Sequence, residues 1–206
     1  MSDPRQDLCD LALHVYERRL TDAAGGNFSV RHGDRIYCTP KFAGARHWWR
    51  IRPEMIIVTD LDGERLGGDG EFSREWLMHL RIYQRLPAAE AVVHAHAENV
   101  MTFASMARPI PPTSEQTERW GTVELCDPYP SHTVELAESV VAALEPRAHR
   151  LPQYAIATLI PHHGITIASA DLLQGFEALE GIDQSCRILA ARAAFEAAEA
   201  LRALRP

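Results

Sequence analysis

The spacing of apolar residues along the chain alternates between the helical and the strand period. Residues 4–20 carry Leu, Ala, Val and Tyr side chains at helical spacing, which predicts an amphipathic helix. Residues 28–31 and 35–39 alternate on either side of a Gly-Asp turn, which predicts a β-hairpin. Short apolar runs predict further strands at residues 55–58, 91–96, 123–126, 155–160 and 165–168. The helical period returns at residues 73–85, 98–107, 133–144 and 171–204.

Helices and strands are interleaved along the whole chain, and no repeat, low-complexity tract or linker divides them. We therefore expect one domain, residues 1–206, in which helices and a sheet pack in layers. Ser73 is predicted to be the N-cap of the helix that follows it. Gly181 is expected to interrupt the last helix, and residues 40–53 and 61–70 are predicted to be irregular.

Composition and charge exclude several classes of function. The chain has 21 Lys and Arg against 28 Asp and Glu, a formal net charge of −7, which argues against capture of nucleic acid or of an anionic membrane. No apolar run reaches the length of a membrane span, and the first twenty residues lack the apolar core of a signal peptide. Cys9, Cys38, Cys126 and Cys186 form no CxxC pair and are expected to be reduced thiols. Together these features predict a cytoplasmic protein.

Ten histidines are many for a chain of 206 residues, and some of them cluster. In His94-Ala95-His96 the two imidazoles would point to the same face of a strand, where they can grip one metal ion. The alternative is a pair of histidines that bond locally or lie at the surface. His162-His163-Gly164 lies between two apolar strands and offers a third imidazole, or else a polar loop tip. Three imidazoles suit Zn²⁺ and leave a fourth position open for a substrate.

Two further segments are candidates for chemistry. Glu75 lies near the start of a predicted helix, where the helix dipole alone also favours an acid. His79 follows one turn later and is expected to pack or bond locally instead of binding metal. The glycine-rich segment 24–31 could form an anion-binding nest of backbone N–H groups, or simply lead into the hairpin.

Taken together, four segments of the sequence resemble the class II aldolase/adducin family. They are AGGNFSVR at residues 24–31, SRE at 73–75, AVVHAH at 91–96 and PHHG at 161–164, and their order and spacing match over almost the whole chain. The resemblance implies a three-layer α/β/α fold around a largely antiparallel sheet. It also implies a homotetramer whose active sites lie between subunits.

The resemblance also implies roles for individual residues. The metal-binding histidines of the family map onto His94, His96 and His163, because His163 directly precedes the glycine. The catalytic acid of the family maps onto Glu75. The residues that contact a substrate phosphate map onto Gly26, Asn27, Ser73 and Arg74.

The sequence departs from the family pattern in two places. After the hairpin it has Thr39-Pro40-Lys41-Phe42 where many aldolases have a hydroxyl residue and a glycine that contact phosphate. Lys41 and Arg74 supply two cations instead, so we expect a phosphate to bind through charge and an arginine fork. The sequence ends at Pro206 without the tyrosine-bearing tail of some members, so a different proton donor is expected.

The resemblance implies a zinc-dependent lyase, with Mn²⁺ or Co²⁺ as alternatives to Zn²⁺. We expect Glu75 to act as the base in the cleavage of a ketose 1-phosphate to dihydroxyacetone phosphate and an aldehyde, with the metal as Lewis acid. The expected substrates are a 5-deoxypentulose, a methylthiopentulose or L-fuculose 1-phosphate. Four aromatic residues could form a pocket for an apolar substrate tail, or could equally belong to the core or to a subunit interface. They are Phe42, Trp48, Trp49 and Phe103.

Other reactions within the family use the same motifs. Dehydration of methylthioribulose 1-phosphate, 4-epimerisation of a sugar phosphate and decarboxylation are the alternatives to aldol cleavage. A structural, adducin-like module is the alternative that is not an enzyme, and it is disfavoured because the three histidines and Glu75 are all present.

Overall fold

An eight-stranded sheet lies at the centre of the computed structural model, which describes residues 3–204. Its strands are β1 (Asn27–His32), β2 (Arg35–Cys38), β3 (Ile57–Thr59), β4 (Arg65–Gly67), β5 (Ala91–Ala95), β6 (Glu124–Leu125), β7 (Ile156–Ile160) and β8 (Gly164–Ser169). Their order across the sheet is β4-β3-β2-β1-β5-β8-β7-β6. Only β6 and β7 pair in parallel among these strands, and every other neighbouring pair is antiparallel.

Helices cover both faces of the sheet. They are α1 (Pro4–Glu17), α2 (Ala43–His47), α3 (Trp76–Arg85), α4 (Val100–Ser105), α5 (Glu115–Glu118), α6 (Val134–Leu144) and α7 (Leu172–Ala203), with 3₁₀ turns at Pro53–Met55 and Glu145–Arg150. Because side chains alternate along a strand, Val93 packs in the core that α1 and α7 cover, whereas Val92 packs in the core that α3 and α6 cover. The predicted three-layer α/β/α fold is confirmed.

Several predicted boundaries were wrong, and each has a local cause. The helix predicted from Ser73 begins at Trp76, because the Ser73 hydroxyl accepts a hydrogen bond from the Glu75 N–H (3.2 Å) and holds a non-helical turn. Ser73 is therefore not the N-cap. The predicted loop 61–70 contains β4, a short and largely exposed edge strand, and the irregular segment 40–53 contains the five-residue helix α2.

The expected break at Gly181 is absent, and α7 runs without interruption from Leu172 to Ala203. Gly181 lies against the ring of Trp120, where an added methyl carbon would overlap the indole. The glycine therefore permits close packing of α7 on Trp120 and does not end the helix.

Two further expectations concern the chain as a whole. The thiols of Cys9, Cys38, Cys126 and Cys186 are all buried and free. Within residues 3–204, no helix combines the length and the apolarity needed to cross a membrane. Residues 1–2 and 205–206, which include Pro206, lie outside the described part of the chain.

Candidate active site

Three histidines meet at one end of the central strands. His94 lies on β5, His96 follows that strand by one residue, and His163 ends the turn between β7 and β8. Their ring centroids are 5.0–5.2 Å apart in every pair, and one candidate ligand atom from each ring lies within 4.8 Å of the others. His162 has a φ of 59° and is exposed, so it is His163 that joins the group.

The outer nitrogen of each imidazole faces a polar partner. His94 Nδ1 lies 3.0 Å from the Ile165 carbonyl oxygen, to which it donates. His96 Nδ1 is 3.5 Å from Asp22 Oδ1, and His163 Nδ1 is 3.5 Å from Ser131 Oγ. Such partners fix the ring orientation and the tautomer, so that the Nε2 lone pairs are directed at the common centre.

The carboxylate of Glu75 faces the same centre. Its Oε2 is 3.0 Å from His94 Nε2, and its Oε1 is 3.2 Å from His163 Nε2. The side-chain amide of Asn27 donates to Oε2 at 3.1 Å. Asn27 can reach this position because it pairs directly opposite His94 where β1 and β5 run side by side.

The electrostatics of the site favour a cation at this centre. Burial and the neighbouring His94 lower the pKa of His163 to about 4, and burial likewise lowers the pKa of His96. Burial alone would raise the pKa of Glu75, but His94 and His163 hold it well below its usual range. Burial would lower the pKa of His94, but the Glu75 carboxylate outweighs it and raises that pKa. The carboxylate is therefore anionic, and it attracts positive charge to the point where the imidazoles meet.

These residues fit a divalent metal ion. Among the described residues, His96 Nε2 is buried and makes no hydrogen bond, and the close polar neighbours of His94 Nε2 and Glu75 Oε1 belong to this same cluster. Buried polar atoms without partners are rare in folded proteins and call for an explanation. Three imidazole nitrogens beside one carboxylate oxygen are a donor set that suits Zn²⁺ and also accepts other first-row metals.

The glycines of segment 24–31 make room for side chains around the three histidines. A methyl carbon on Gly25 would overlap the His96 ring, lying 2.6 Å from Nδ1. Gly26 has a φ of 100°, which favours glycine, and a methyl carbon there would lie 2.5 Å from Thr21 Oγ1. On the opposite side, a methyl carbon on Gly164 would lie 2.6 Å from the Ala95 carbonyl oxygen and 2.8 Å from His96 Cδ2.

Asp22 holds this loop in place. Its Oδ1 accepts hydrogen bonds from Ala24 N–H (2.9 Å) and Gly25 N–H (2.8 Å), besides facing His96. Two N–H groups of the anticipated anion-binding nest are thus used inside the loop. The glycine-rich segment therefore acts first as a support for His96.

An open cleft of about 260 Å³ lies in front of His96, His163 and Glu75. The residues that were expected to contact a phosphate all line this cleft. Further residues that sequence reasoning did not single out line it as well. The anticipated ones are Gly26, Asn27, Lys41, Ser73 and Arg74.

Comparison with known proteins identifies the family. The sequence model of the family described as Class II Aldolase and Adducin N-terminal domain matches residues 6–190. The chain belongs to the class II aldolase/adducin family. It is an enzyme of the class II aldolase type, a metal-dependent lyase.

Named relatives of this aldolase act on small phosphorylated sugars. An L-fuculose phosphate aldolase of Escherichia coli O6:H1 is 31% identical over 169 residues, which cover 81% of this chain and 73% of that protein. A 5-methylthioribulose-1-phosphate/5-deoxyribulose-1-phosphate aldolase of Rhodospirillum rubrum is 33% identical over 163 residues, 78% of this chain and 68% of that protein. A solved L-fuculose 1-phosphate aldolase superposes with a TM-score of 0.83 at 27% identity, covering 95% of this chain and 88% of the other.

The cleft of this aldolase also contains Ser131 and His132, which sequence reasoning missed. They follow β6 in a segment without helical or strand period, so periodicity gave no indication of them. No local sequence signal indicated them; the structure shows that His132 has a left-handed backbone, with a φ of 69°.

The aromatic residues expected around the substrate divide into separate roles. Phe42 lines the cleft and lies under Arg46, whose guanidinium carbon is 4.2 Å from the ring centroid. Trp49 is a core residue, packed on Phe28 and hydrogen-bonded to the Asp22 carbonyl oxygen, so it is not a wall of the cleft. Phe103 packs against the same core, and Trp48 is 64% exposed.

Replacing Asp22 tests the support of the metal-site histidines. Asp22→Asn removes the charge that faces His96 Nδ1, and we expect zinc affinity to fall about 10–100-fold, as is usual for partners of metal-binding histidines. Competition with a chromophoric chelator measures the affinity. Asp34→Asn, at the exposed hairpin turn, makes the same change of charge away from the site and serves as control. Equal affinities in the two variants would contradict the role of Asp22.

Proposed function

We propose that this protein is a zinc-dependent aldolase that cleaves a ketose 1-phosphate to dihydroxyacetone phosphate and an aldehyde. The observation that carries the proposal is the buried Glu75 carboxylate, which faces three imidazoles at the base of a cleft. His94, His96 and His163 would hold the zinc ion. When bound, zinc supplies Lewis acidity toward the oxygens of the substrate.

Glu75 is the proposed base of the reaction. Its carboxylate is anionic and buried, and Oε1 is directed at the point where the imidazoles meet, 3.2 Å from His163 Nε2, so this oxygen is the one placed to take a proton. We propose that it accepts the proton of the C4 hydroxyl as the C3–C4 bond breaks. Burial raises the proton affinity of this carboxylate, whereas His94 and His163 lower it, so its strength as a base depends on the state of these two imidazoles.

The substrate phosphate would bind at the mouth of the cleft. Lys41 and Arg74 line it and carry positive charge, in a chain whose net charge is −7. Ser73 adds a hydroxyl group to the lining of the cleft. Gly26, which has no side chain, leaves its backbone open to the phosphate. The Asn27 side chain has another partner, since its amide donates to Glu75.

The identity of the sugar is proposed from the relatives. Their names specify L-fuculose phosphate, 5-methylthioribulose 1-phosphate and 5-deoxyribulose 1-phosphate. Phe42 supplies an apolar surface in the cleft, which suits a deoxy or methylthio tail better than a hydroxylated one. We therefore propose a 5-deoxypentulose or methylthiopentulose 1-phosphate first, and L-fuculose 1-phosphate second.

A substrate panel tests the reaction. The zinc-loaded protein is incubated with these three ketose 1-phosphates, and dihydroxyacetone phosphate is followed by a coupled reductase that consumes NADH. We expect release from at least one of them, abolished by chelation and restored by zinc. Glu75→Gln should lower turnover at least about 100-fold, the usual contribution of a positioned base. The exposed Glu64→Gln is the matched control.

Other outcomes separate the alternatives. Substrate loss without dihydroxyacetone phosphate would assign the protein to dehydration, 4-epimerisation or decarboxylation. Full activity of zinc-loaded Glu75→Gln would contradict the role of Glu75. Higher activity with Mn²⁺ or Co²⁺ than with Zn²⁺ would contradict the choice of metal.

The two cations of the cleft can be tested separately. Lys41→Gln and Arg74→Gln should each lower kcat/KM for the sugar phosphate about 10–100-fold, since a hydrogen bond to a charged group contributes roughly 1.5–3 kcal/mol. Arg46→Gln is the control, because Arg46 shares Glu71 with Lys41 but does not line the cleft. Steady-state kinetics at fixed ionic strength measure the effect. A loss no larger than in Arg46→Gln would place the phosphate elsewhere.

We also propose that the protein is a homotetramer, and the end of α7 supports an assembly. Residues 190–203 of this helix are exposed, and their apolar side chains include Phe195 (73% exposed) and Leu201 (65%). Isolated helical segments of this length are marginal in water without a partner. A second copy of the chain would cover them.

Light scattering after size exclusion tests the assembly. We expect a tetramer for the wild type and smaller species for Phe195→Glu combined with Leu201→Glu, because burying a charge at positions that a second copy covers costs several kcal/mol. Glu196→Gln, on the same helix, should leave the mass unchanged. A wild-type monomer would overturn this part of the proposal.

A further inference from the structure

A row of five polar side chains runs from the protein interior to the Glu75 carboxylate. Tyr83 Oη is 2.8 Å from Ser29 Oγ, and Ser29 Oγ is 2.6 Å from His79 Nδ1. His79 Nε2 is 2.5 Å from Asn27 Oδ1, and Asn27 Nδ2 is 3.1 Å from Glu75 Oε2. All five residues are buried.

The row forms because the distance between successive residues on one face of α3 is close to the distance between successive residues on one face of β1. Glu75, His79 and Tyr83 are spaced four residues apart along α3, beginning at its N-cap, and so lie on one helix face. Asn27 and Ser29 are spaced two residues apart on β1 and lie on one sheet face. Four helical residues rise about 6 Å and two strand residues about 6.6 Å, so the two sets interleave.

The direction of every hydrogen bond in the row follows by elimination. A carboxylate only accepts, so the Asn27 amide turns its NH₂ to Glu75 and its Oδ1 to His79. His79 Nε2 must then carry the proton. Burial, with a contribution from His94, lowers the pKa of His79 to about 3, so the ring is neutral and its Nδ1 accepts from the Ser29 hydroxyl. Ser29 in turn accepts from Tyr83.

We infer that His79 is a positioning residue for catalysis, which holds the Asn27 amide in the one orientation that donates to the Glu75 carboxylate. This inference rests on the proposed role of Glu75 as the base. A rotated amide would set its carbonyl oxygen against the carboxylate, and the two oxygens would repel. His79 prevents that rotation through its hydrogen bond to Asn27 Oδ1.

Two substitutions of His79 separate orientation from packing. His79→Leu fills a similar volume but removes the donor to Asn27, whereas His79→Gln keeps an N–H group at a comparable reach. We expect His79→Leu to lower kcat about 10–100-fold, as for other indirect partners in metal sites, while KM and zinc content stay close to the wild type. His79→Gln should recover most of kcat.

A control variant removes the effect of general destabilisation. Val140→Ala leaves a cavity in the α6 core, away from the cleft, and should lower the Tm without lowering kcat. If kcat falls in Val140→Ala as it does in His79→Leu at matched loss of Tm, the role of His79 is structural and the inference is wrong. It is also wrong if His79→Leu turns over like the wild type.

A second readout does not depend on activity. The two side-chain N–H signals of Asn27, assigned by their loss in Asn27→Asp, report the amide orientation in ¹H–¹⁵N spectra of the zinc-loaded protein. We expect them to shift or broaden in His79→Leu and to stay near their wild-type positions in His79→Gln. If the wild type cleaves no ketose 1-phosphate, the proposed function fails, yet these spectra still decide whether His79 orients Asn27. Unchanged signals in His79→Leu would overturn the inference.

Discussion

The buried carboxylate of Glu75 is the constraint on which the rest of the site depends. Only 8% of this residue is exposed, and an ionised carboxylate without its hydration costs several kcal/mol unless charges and hydrogen bonds replace the lost water. His94, whose pKa the carboxylate raises, supplies the charge complement, and Asn27 donates a hydrogen bond. The compensation is weaker on Oε1, whose neighbour at 3.2 Å is His163, a ring with a pKa lowered to about 4. The affinity of the three imidazoles for a cation and the proton affinity of Glu75 therefore depend on each other. A substitution that changes one of them also changes the other.

The sheet fixes where these groups can meet. Asn27 pairs with His94 across β1 and β5, and His94 pairs with Thr166 across β5 and β8. A slip of one residue in either pairing would turn His94 to the opposite face of the sheet. Core packing on both faces of the sheet prevents such a slip, because successive residues of β5 point to opposite faces. Val92 and Val93 are fully buried, each in a different core. Packing in the two cores thus sets the geometry of the site.

Sequence reasoning predicted the helices and strands whose apolar residues recur with a clear period, and the histidines that lie in short motifs. The strands around β5 and β8, the helices α1, α3, α6 and α7, and the histidine positions all follow from local pattern, reinforced by family resemblance. The rest depends on contacts between distant segments. Nothing local indicates that Gly181 packs on Trp120, or that Asn27 bonds to a carboxylate 48 positions away. Ser131 and His132 likewise reach the cleft through a loop without period, which only the tertiary fold can place.

The cations of the cleft determine how a phosphate would be recognised. Where many relatives are expected to use hydroxyl and glycine, this chain has Lys41, whose Nζ lies 3.7 Å from Glu71. Glu71 is 65% exposed and is shared with Arg46, so the pair is screened by water and contributes little to stability. A phosphate dianion would displace Glu71 from Lys41 at small cost, because it carries more charge and leaves Glu71 paired with Arg46. Recognition by flexible charge is less directional than recognition by hydroxyls and more sensitive to salt. Under the proposed function such a cleft would tolerate variation in where the phosphate lies, so the reacting carbons would be positioned mainly by the histidines and by Glu75.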